Sequence, residues 1–244
     1  NTRPAENSLK GLSGRLQKGQ FTLTSAVSRA GTQLSVALTA PLLLAGKAAL
    51  KAATDVELLA KTTASLGALS NNDFSNVAQV ANDISKSAVD IAKDVKFTTA
   101  EVAASQVVLA RAGFSTNTIL TDQGRIVREL SSFAAASNIE LEQSADLVVK
   151  ALGALGATSE TQRLDQFGNL TDILTVTASS AATNVSELGK AITYAGPLAA
   201  TLGVSTEDLA ASLGVLANAG FTSTLAGTGL RAIFKGLVAP TDAN

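Results

Sequence analysis

The chain of 244 residues contains no histidine, cysteine, methionine or tryptophan, and a single tyrosine. Without His or Cys, the Ser–His–Asp and Cys–His arrangements and the usual His- or Cys-based metal sites are excluded. The lack of cysteine also rules out disulfides and says nothing firm about compartment. Aromatic residues make up only 4% against a hydrophobic share of 46%. The core must therefore be built mainly from Ala, Leu, Val and Ile, whose small members let helices lie close together. An excess of charge is lacking too: 19 Lys and Arg face 20 Asp and Glu, a net charge of -1. The counterion-release attraction that drives nucleic-acid binding then has no evident source. The most apolar run, VALTAPLLLAG at Val36–Gly46, is shorter than the roughly 18–20 residues of a spanning helix, and Lys47 and Lys51 follow it. No methionine stands at position 1 and the first residues have no secretory-signal pattern, which leads to the expectation of a segment of a longer protein.

What the chain does have is a block that occurs twice, 107 positions apart: TAEVAASQVVLARAGFST at Thr99–Thr116 and TEDLAASLGVLANAGFTS at Thr206–Ser223. Helix punctuation, not reactive chemistry, is what repeats. Thr98 with Glu101, and Ser205 with Asp208, form capping pairs, Asp208 standing as a shorter substitute for Glu. Phe97 and Val204 just outside are placed to staple onto Val102 and Leu209. Gly113 and Gly220 end the helices because glycine turns left-handed without steric cost, and Phe114 and Phe221 are placed to fold back on Leu109 and Leu216. Two helices of about 14 residues, roughly 21 Å each, are expected.

The remaining periodicity predicts an all-α, bundle-like domain of many helices with Ala/Leu-rich packing and no sheet. Asn1–Gln20, with scattered Gly, Arg and Lys, reads as a basic flexible arm or linker. Phe21–Lys96 reads as an apolar helical segment. Its Phe21–Ala53 part is either a buried helix broken at Pro41 or a stretch that meets lipid after a conformational change, with Leu42, Leu43 and Leu44 as the candidate lipid or partner contacts. Val56, Leu59 and Leu66, then Val77, Val80, Ile84 and Ile91, fit helices divided at Ser70–Asp73. Phe97–Pro240 is the third region. Ile126–Ala136, Leu141–Leu155 and Leu164–Ser179 are its expected helices, the last after a polar break at Ala157–Gln162, and Leu141 opens a degraded third relative of the repeat. Asn184 with Glu187 caps a helix that must kink or restart at Pro197 and stop at Gly203. Leu230, Ile233, Phe234 and Leu237 share one face of a last helix ended by Pro240.

No catalytic, cofactor-binding or metal-binding residue is assigned. The carboxylate pairs Asp55/Glu57, Glu140/Glu142 and Glu207/Asp208 sit near expected helix starts, where acids favour the helix dipole, so capping outweighs acid–base catalysis. Tyr194 is read as a packing residue beside Pro197. Gly46–Lys47 and Gly189–Lys190 lack the glycine spacing of a phosphate loop, and Gly227 and Gly229 in AGTGLR fit a turn or a close-packed helix start better than a nucleotide cradle. Gly113, Phe114, Pro197, Gly220 and Phe221 are the residues assigned structural roles.

The run NVSELGKAITYAGPLAATLGVSTEDLAASLGVLANAGFTSTLAGTGLRAIF at Asn184–Phe234 resembles the core region of phage tail tape measure proteins. Leu38–Glu57, Phe97–Ser115 and Phe133–Gly156 match in the same order, so the resemblance covers Phe21 to Pro240. Gln123–Ser132 and Ser159–Arg163 depart from it. The resemblance implies a structural virion component, not an enzyme, that lies in the tail tube lumen or tail tip. It would set tail length and leave the tube on infection, reaching the host envelope as the genome crosses. It further implies tail tube and baseplate hub proteins as partners, self-association in a few copies with three as the expected number, contact with the host membrane on ejection, and only indirect contact with genomic DNA. A single helix of the whole chain would span only about 370 Å, so a compact domain of a longer ruler is expected. The alternative is a non-enzymatic helical interaction module of a secreted or cell-surface protein.

Overall fold

The computed structural model of the chain describes residues 53–69 and 75–238. The basic arm, Leu42–Leu44, the Ser70–Asp73 divide and Pro240 lie outside these residues. Among the described residues there are nine helices and no strand, as the periodicity predicts: α1 (residues 53–69), α2 (Val77–Asp94), α3 (Thr99–Arg111), α4 (Thr116–Ser137), α5 (Leu141–Ala154), α6 (Glu160–Ser180), α7 (Val185–Thr201), α8 (Thr206–Asn218) and α9 (Ser223–Val238).

The repeated block supplies α3 and α8. The Glu101 amide donates to the Thr98 hydroxyl oxygen at 3.3 Å, and the Thr98 amide donates back to the Glu101 carboxylate at 2.7 Å, a complete capping box. In the second copy the Asp208 amide donates to the Ser205 hydroxyl oxygen at 3.1 Å, but the shorter acid takes the Ser205 hydroxyl proton at 2.7 Å and not the backbone amide. The stops are the same in both. Gly113 and Gly220 have φ of 85° and 89°, and the amides of Phe114 and Phe221 donate to the carbonyls of Leu109 and Leu216 at 3.1 and 2.9 Å, the bonding of a left-handed helix terminator. Three more helices end in this way. The amides of Ile139, Ala157 and Val204 donate to Ala134, Leu152 and Ala199 after left-handed Asn138, Gly156 and Gly203. So α5 keeps the terminator of the repeat, while its start at Glu140 has no side-chain cap.

These tight corners fold the chain back on itself again and again, and two layers result. The helices α3, α5, α7 and α9 pack in succession in one layer and α2, α4, α6 and α8 in the other, each helix also touching its neighbour in sequence across the layers. The two repeat copies therefore fall in opposite layers. The core between them is assembled from residues such as Ile84, Ile91, Leu109, Leu130, Leu152, Leu174, Ile192 and Leu213, with α1 contributing Val56 and Ala60.

Three local expectations change, and one feature was not anticipated. The polar stretch before α6 is its start, since Ser159 and Gln162 form a capping box, not a break. The helix α7 runs through Pro197 without restarting. Pro197 and Thr193 line an open groove, so the Thr193 carbonyl that proline cannot bond lies beside solvent. On α9 the buried face is Ala226, Gly227, Leu230 and Phe234, whereas Ile233 and Leu237 are exposed because α7 covers the other side. Lastly, α4 is broken inside: Thr121 is extended and Asp122, Gln123 and Gly124 are left-handed. The Arg128 guanidinium holds this break by donating to the Gln123 carbonyl at 3.0 Å and to Asp94 at 2.7 Å.

Two buried side chains among the described residues lack hydrogen-bond partners, the Ser137 hydroxyl and, more consequentially, the Gln106 amide. The hydroxyls of Ser105, Ser131 and Ser144 bond carbonyls of their own helices, yet Gln106, fully buried on α3, has no partner for either amide atom. An unsatisfied buried amide costs about 1–3 kcal/mol. The aligned residue of the second copy is Leu213, also buried. Replacing Gln106→Leu is expected to raise the unfolding temperature and denaturant midpoint; a lower midpoint would show that the amide is satisfied.

Candidate functional site

The residues singled out in the repeat sit at two corners with different surroundings. At the α3–α4 corner Phe114 is 2% exposed and meets Phe167 of α6 edge-on, ring centroids 6.5 Å apart and planes at 89°. The Arg163 guanidinium lies 5.7 Å from the Phe114 ring centroid, a cation–π distance. It also donates to the carbonyls of Ala112, of Thr158 at 2.8 Å and of Ser159 at 3.3 Å. Glu160 accepts from the Ser115 amide at 2.7 Å. Partial burial raises the Glu160 carboxyl, but hydrogen bonds from Thr118 and Ser115 and the charge of Arg163 outweigh it and hold it below the usual carboxylate range. The first turn of α6 thus clamps the end of α3 and the start of α4. None of Glu160, Arg163 and Phe167 was marked by the repeat. The capping box at Ser159 after Gly156 was the signal that could have found the helix start carrying two of them.

At the α8–α9 corner the same backbone leaves Phe221 48% exposed. Among the described residues no helix covers it as α6 covers Phe114. Pro197 stands away from both corners, on the outer face of α7 beside Tyr194, in an open groove with Leu198, Thr201, Arg231 and Lys235 of about 470 Å³. Tyr194 is 43% exposed, so it is not the core residue expected: its Cβ rests against the position where Gly227 lets α9 come close. Leu42, Leu43 and Leu44 lie outside the described residues.

A second, larger groove of about 890 Å³ crosses α3, α5 and α7, with Val108, Leu147 and Gly189 on its floor and Arg111, Glu142 and Lys190 at its rim. The carboxylate pairs occupy helix starts. Glu57 is paired with Lys61 at 2.6 Å, Glu140 is the residue before α5 and accepts from Gln143 at 3.2 Å, and Glu207 accepts from Asn169 at 2.9 Å. That hydrogen bond lowers the Glu207 carboxyl pKa. No group of His, Cys, Asp or Glu among the described residues is placed to hold a metal ion. No helix among them is long and apolar enough to cross a membrane.

An all-helical two-layer array joined by tight corners, with charged outer faces and acids used as caps, defines a packing module. The chain belongs to the phage-related minor tail protein family, whose model matches residues 85–244. It is 27% identical over 224 residues to the tape measure protein of Pneumococcus phage Dp-1, covering 91% of this chain and 18% of that protein. It is 29% identical over 177 residues to a probable tape measure protein of Escherichia phage P2, covering 70% of this chain and 21% of that one. The chain therefore spans about a fifth of the length of the curated relatives it matches. The resemblance seen in the sequence is borne out by these matches. No solved structure matches it at a significant level.

The different settings of the two phenylalanines predict different costs of removing them. Phe114→Ala is expected to destabilise by about 3–5 kcal/mol, and Phe221→Ala by under about 1 kcal/mol. Urea unfolding of both variants checks this; equal losses would contradict the assignment of Phe114 to the core and Phe221 to the surface.

Proposed function

We propose that this chain is a compact helical region of a tape measure protein, a structural part of the phage tail that lies in the tube lumen or tip, takes part in setting tail length and leaves the particle as the genome is delivered. The observation that carries this is the family match over residues 85–244, which falls on the two-layer array and not on an isolated motif. The fold limits the part it plays. The longest unbroken described helix, α6, has 21 residues, about 32 Å, and every corner turns the chain back, so this region adds thickness and contact surface in place of reach. Length would be counted by other parts of the longer chain. Its partners are then tail tube and baseplate hub proteins and further copies of itself, with the host membrane met only on ejection and DNA met only indirectly. A structural role agrees with a surface on which acids serve as caps and ion-pair partners.

Mass spectrometry of purified virions before and after DNA ejection tests this, with the peptide Glu129–Lys150 as reporter. It is expected in intact particles and depleted from emptied ones. Its absence from intact particles would overturn the tail role and favour the helical interaction module; its full retention after ejection would overturn the departure.

A further inference from the structure

We infer that the outer face of the α7–α9 layer on one copy of this chain docks onto the outer face of the α6–α8 layer on a second copy. The inference rests on the proposed tail role only for the expectation that several copies meet; the two faces are set by this chain's own side chains. Helical spacing of three and four residues puts Lys190, Tyr194 and Pro197 on one exposed stripe of α7, and Thr228, Arg231 and Lys235 on one exposed stripe of α9. A single groove joins the two stripes, since Tyr194, Pro197, Arg231 and Lys235 all line it. In the other layer the same spacing puts Asp165, Asp172 and Val176 on an exposed stripe of α6, and Asp208 and Val215 on one of α8. A hydrogen bond from Asn169 to Glu207 at 2.9 Å ties those two stripes together.

The two faces carry charges of opposite sign. Lys190, Arg231 and Lys235 stand on one, and Asp165, Asp172 and Asp208 on the other; none of the six takes part in an ion pair among the described residues. Some exposed charges elsewhere pair within the chain, among them Lys61 with Glu57, Lys93 with Asp90, Arg125 with Glu129, Arg128 with Asp94, and Lys150 with Asp146. Each face also leaves apolar surface uncovered beside its charges, Tyr194 on the basic one, Val176 and Val215 on the acidic one. A nucleic acid would find only the basic face, and only three cations on it, whereas a second copy satisfies both faces at once. Because the two surfaces are unlike, the contact is heterologous and closes into a ring or runs on as a string, according to the rotation between copies. Exposed ion pairs contribute little individually, so the association is weak and falls as salt screens it over about 10 Å at 0.1 M.

The test is sedimentation and light scattering of the full 244-residue chain at high protein concentration. Species heavier than the monomer are expected in low salt and lost in high salt. The double variant R231E/K235E and the double variant D165K/D172K are each expected to weaken association by at least about tenfold. Both keep the wild-type circular dichroism, because all four sites are exposed. Combining the four changes in one chain restores association, which no loss of folding could imitate. A chain that stays monomeric at every concentration, association that ignores the double variants, or a fourfold variant that fails to recover would each overturn the proposed contact. None of these outcomes bears on whether the chain is found in virions, so the tail role stands or falls separately.

Discussion

Everything in this fold hangs on how closely α9 can approach α7. A Cβ at Gly227 would lie 2.5 Å from the Ala191 carbonyl oxygen and 2.9 Å from its Cα, so the two backbones touch with no side chain between them. The opposite flank of α7 is nearly as close to α5. A Cβ at Gly189 would strike Leu147, and one at Gly196 would meet the Ala154 backbone at 3.2 Å. The pairs Gly189–Leu147 and Gly196–Ala154 are seven residues apart on both helices, two turns, so the contact recurs down the seam. A chain with few aromatic residues cannot fill wide gaps between helices. It removes them, and dispersion between close backbones takes over part of what large side chains would otherwise supply.

The second ingredient is the corner. A left-handed residue, an apolar residue and a capping residue suffice to end one helix and begin the next, and close layers need connections this short. The clamp formed by Arg163 and Glu160 shows what happens where a corner is buried: the free carbonyl of Ala112 and the free amide of Ser115 both find partners from a helix more than 40 positions further on. Where the corner stays at the surface, as at Phe221, water can serve. The outer faces are thereby left free to differ, with Lys190, Arg231 and Lys235 exposed on α7 and α9 and Asp165, Asp172 and Asp208 exposed on α6 and α8.

The parts of this fold that were legible in the sequence are the local ones. Thr98, Glu101, Ser205, Gly113 and Gly220 act within a few residues of themselves, so their spacing predicts what they do. Layer membership is not local, and the repeat carries no sign of it: two blocks with the same punctuation sit in opposite layers, one with a buried phenylalanine at its end and one with an exposed phenylalanine. Tyr194 and Ile233 were placed by periodicity on faces that their neighbours fail to cover. The left-handed run at Asp122–Gly124 was hidden because two of its three residues are not glycine, and its support comes from Asp94 and Arg128, residues 34 positions apart. Gln106 carried no signal at all beyond its alignment with Leu213. The glycines of AGTGLR were read as a turn or a close-packed helix start, and the structure separates them within α9: Gly227 is pressed on α7, while Gly229 faces open space.

That separation gives the most direct measurement of whether backbone contact organises the array. Thermal and denaturant unfolding of Gly227→Ala and Gly229→Ala, two residues apart on nearly opposite sides of the same helix, compares a methyl group added inside the contact with one added outside it. Alanine at position 229 should stabilise by about 0.5–1 kcal/mol through helix propensity. At position 227 it should destabilise by about 1–3 kcal/mol, because backbone has to move. Opposite signs support the close approach of α7 and α9 as the constraint on which the fold depends. Stabilisation at both positions would contradict it.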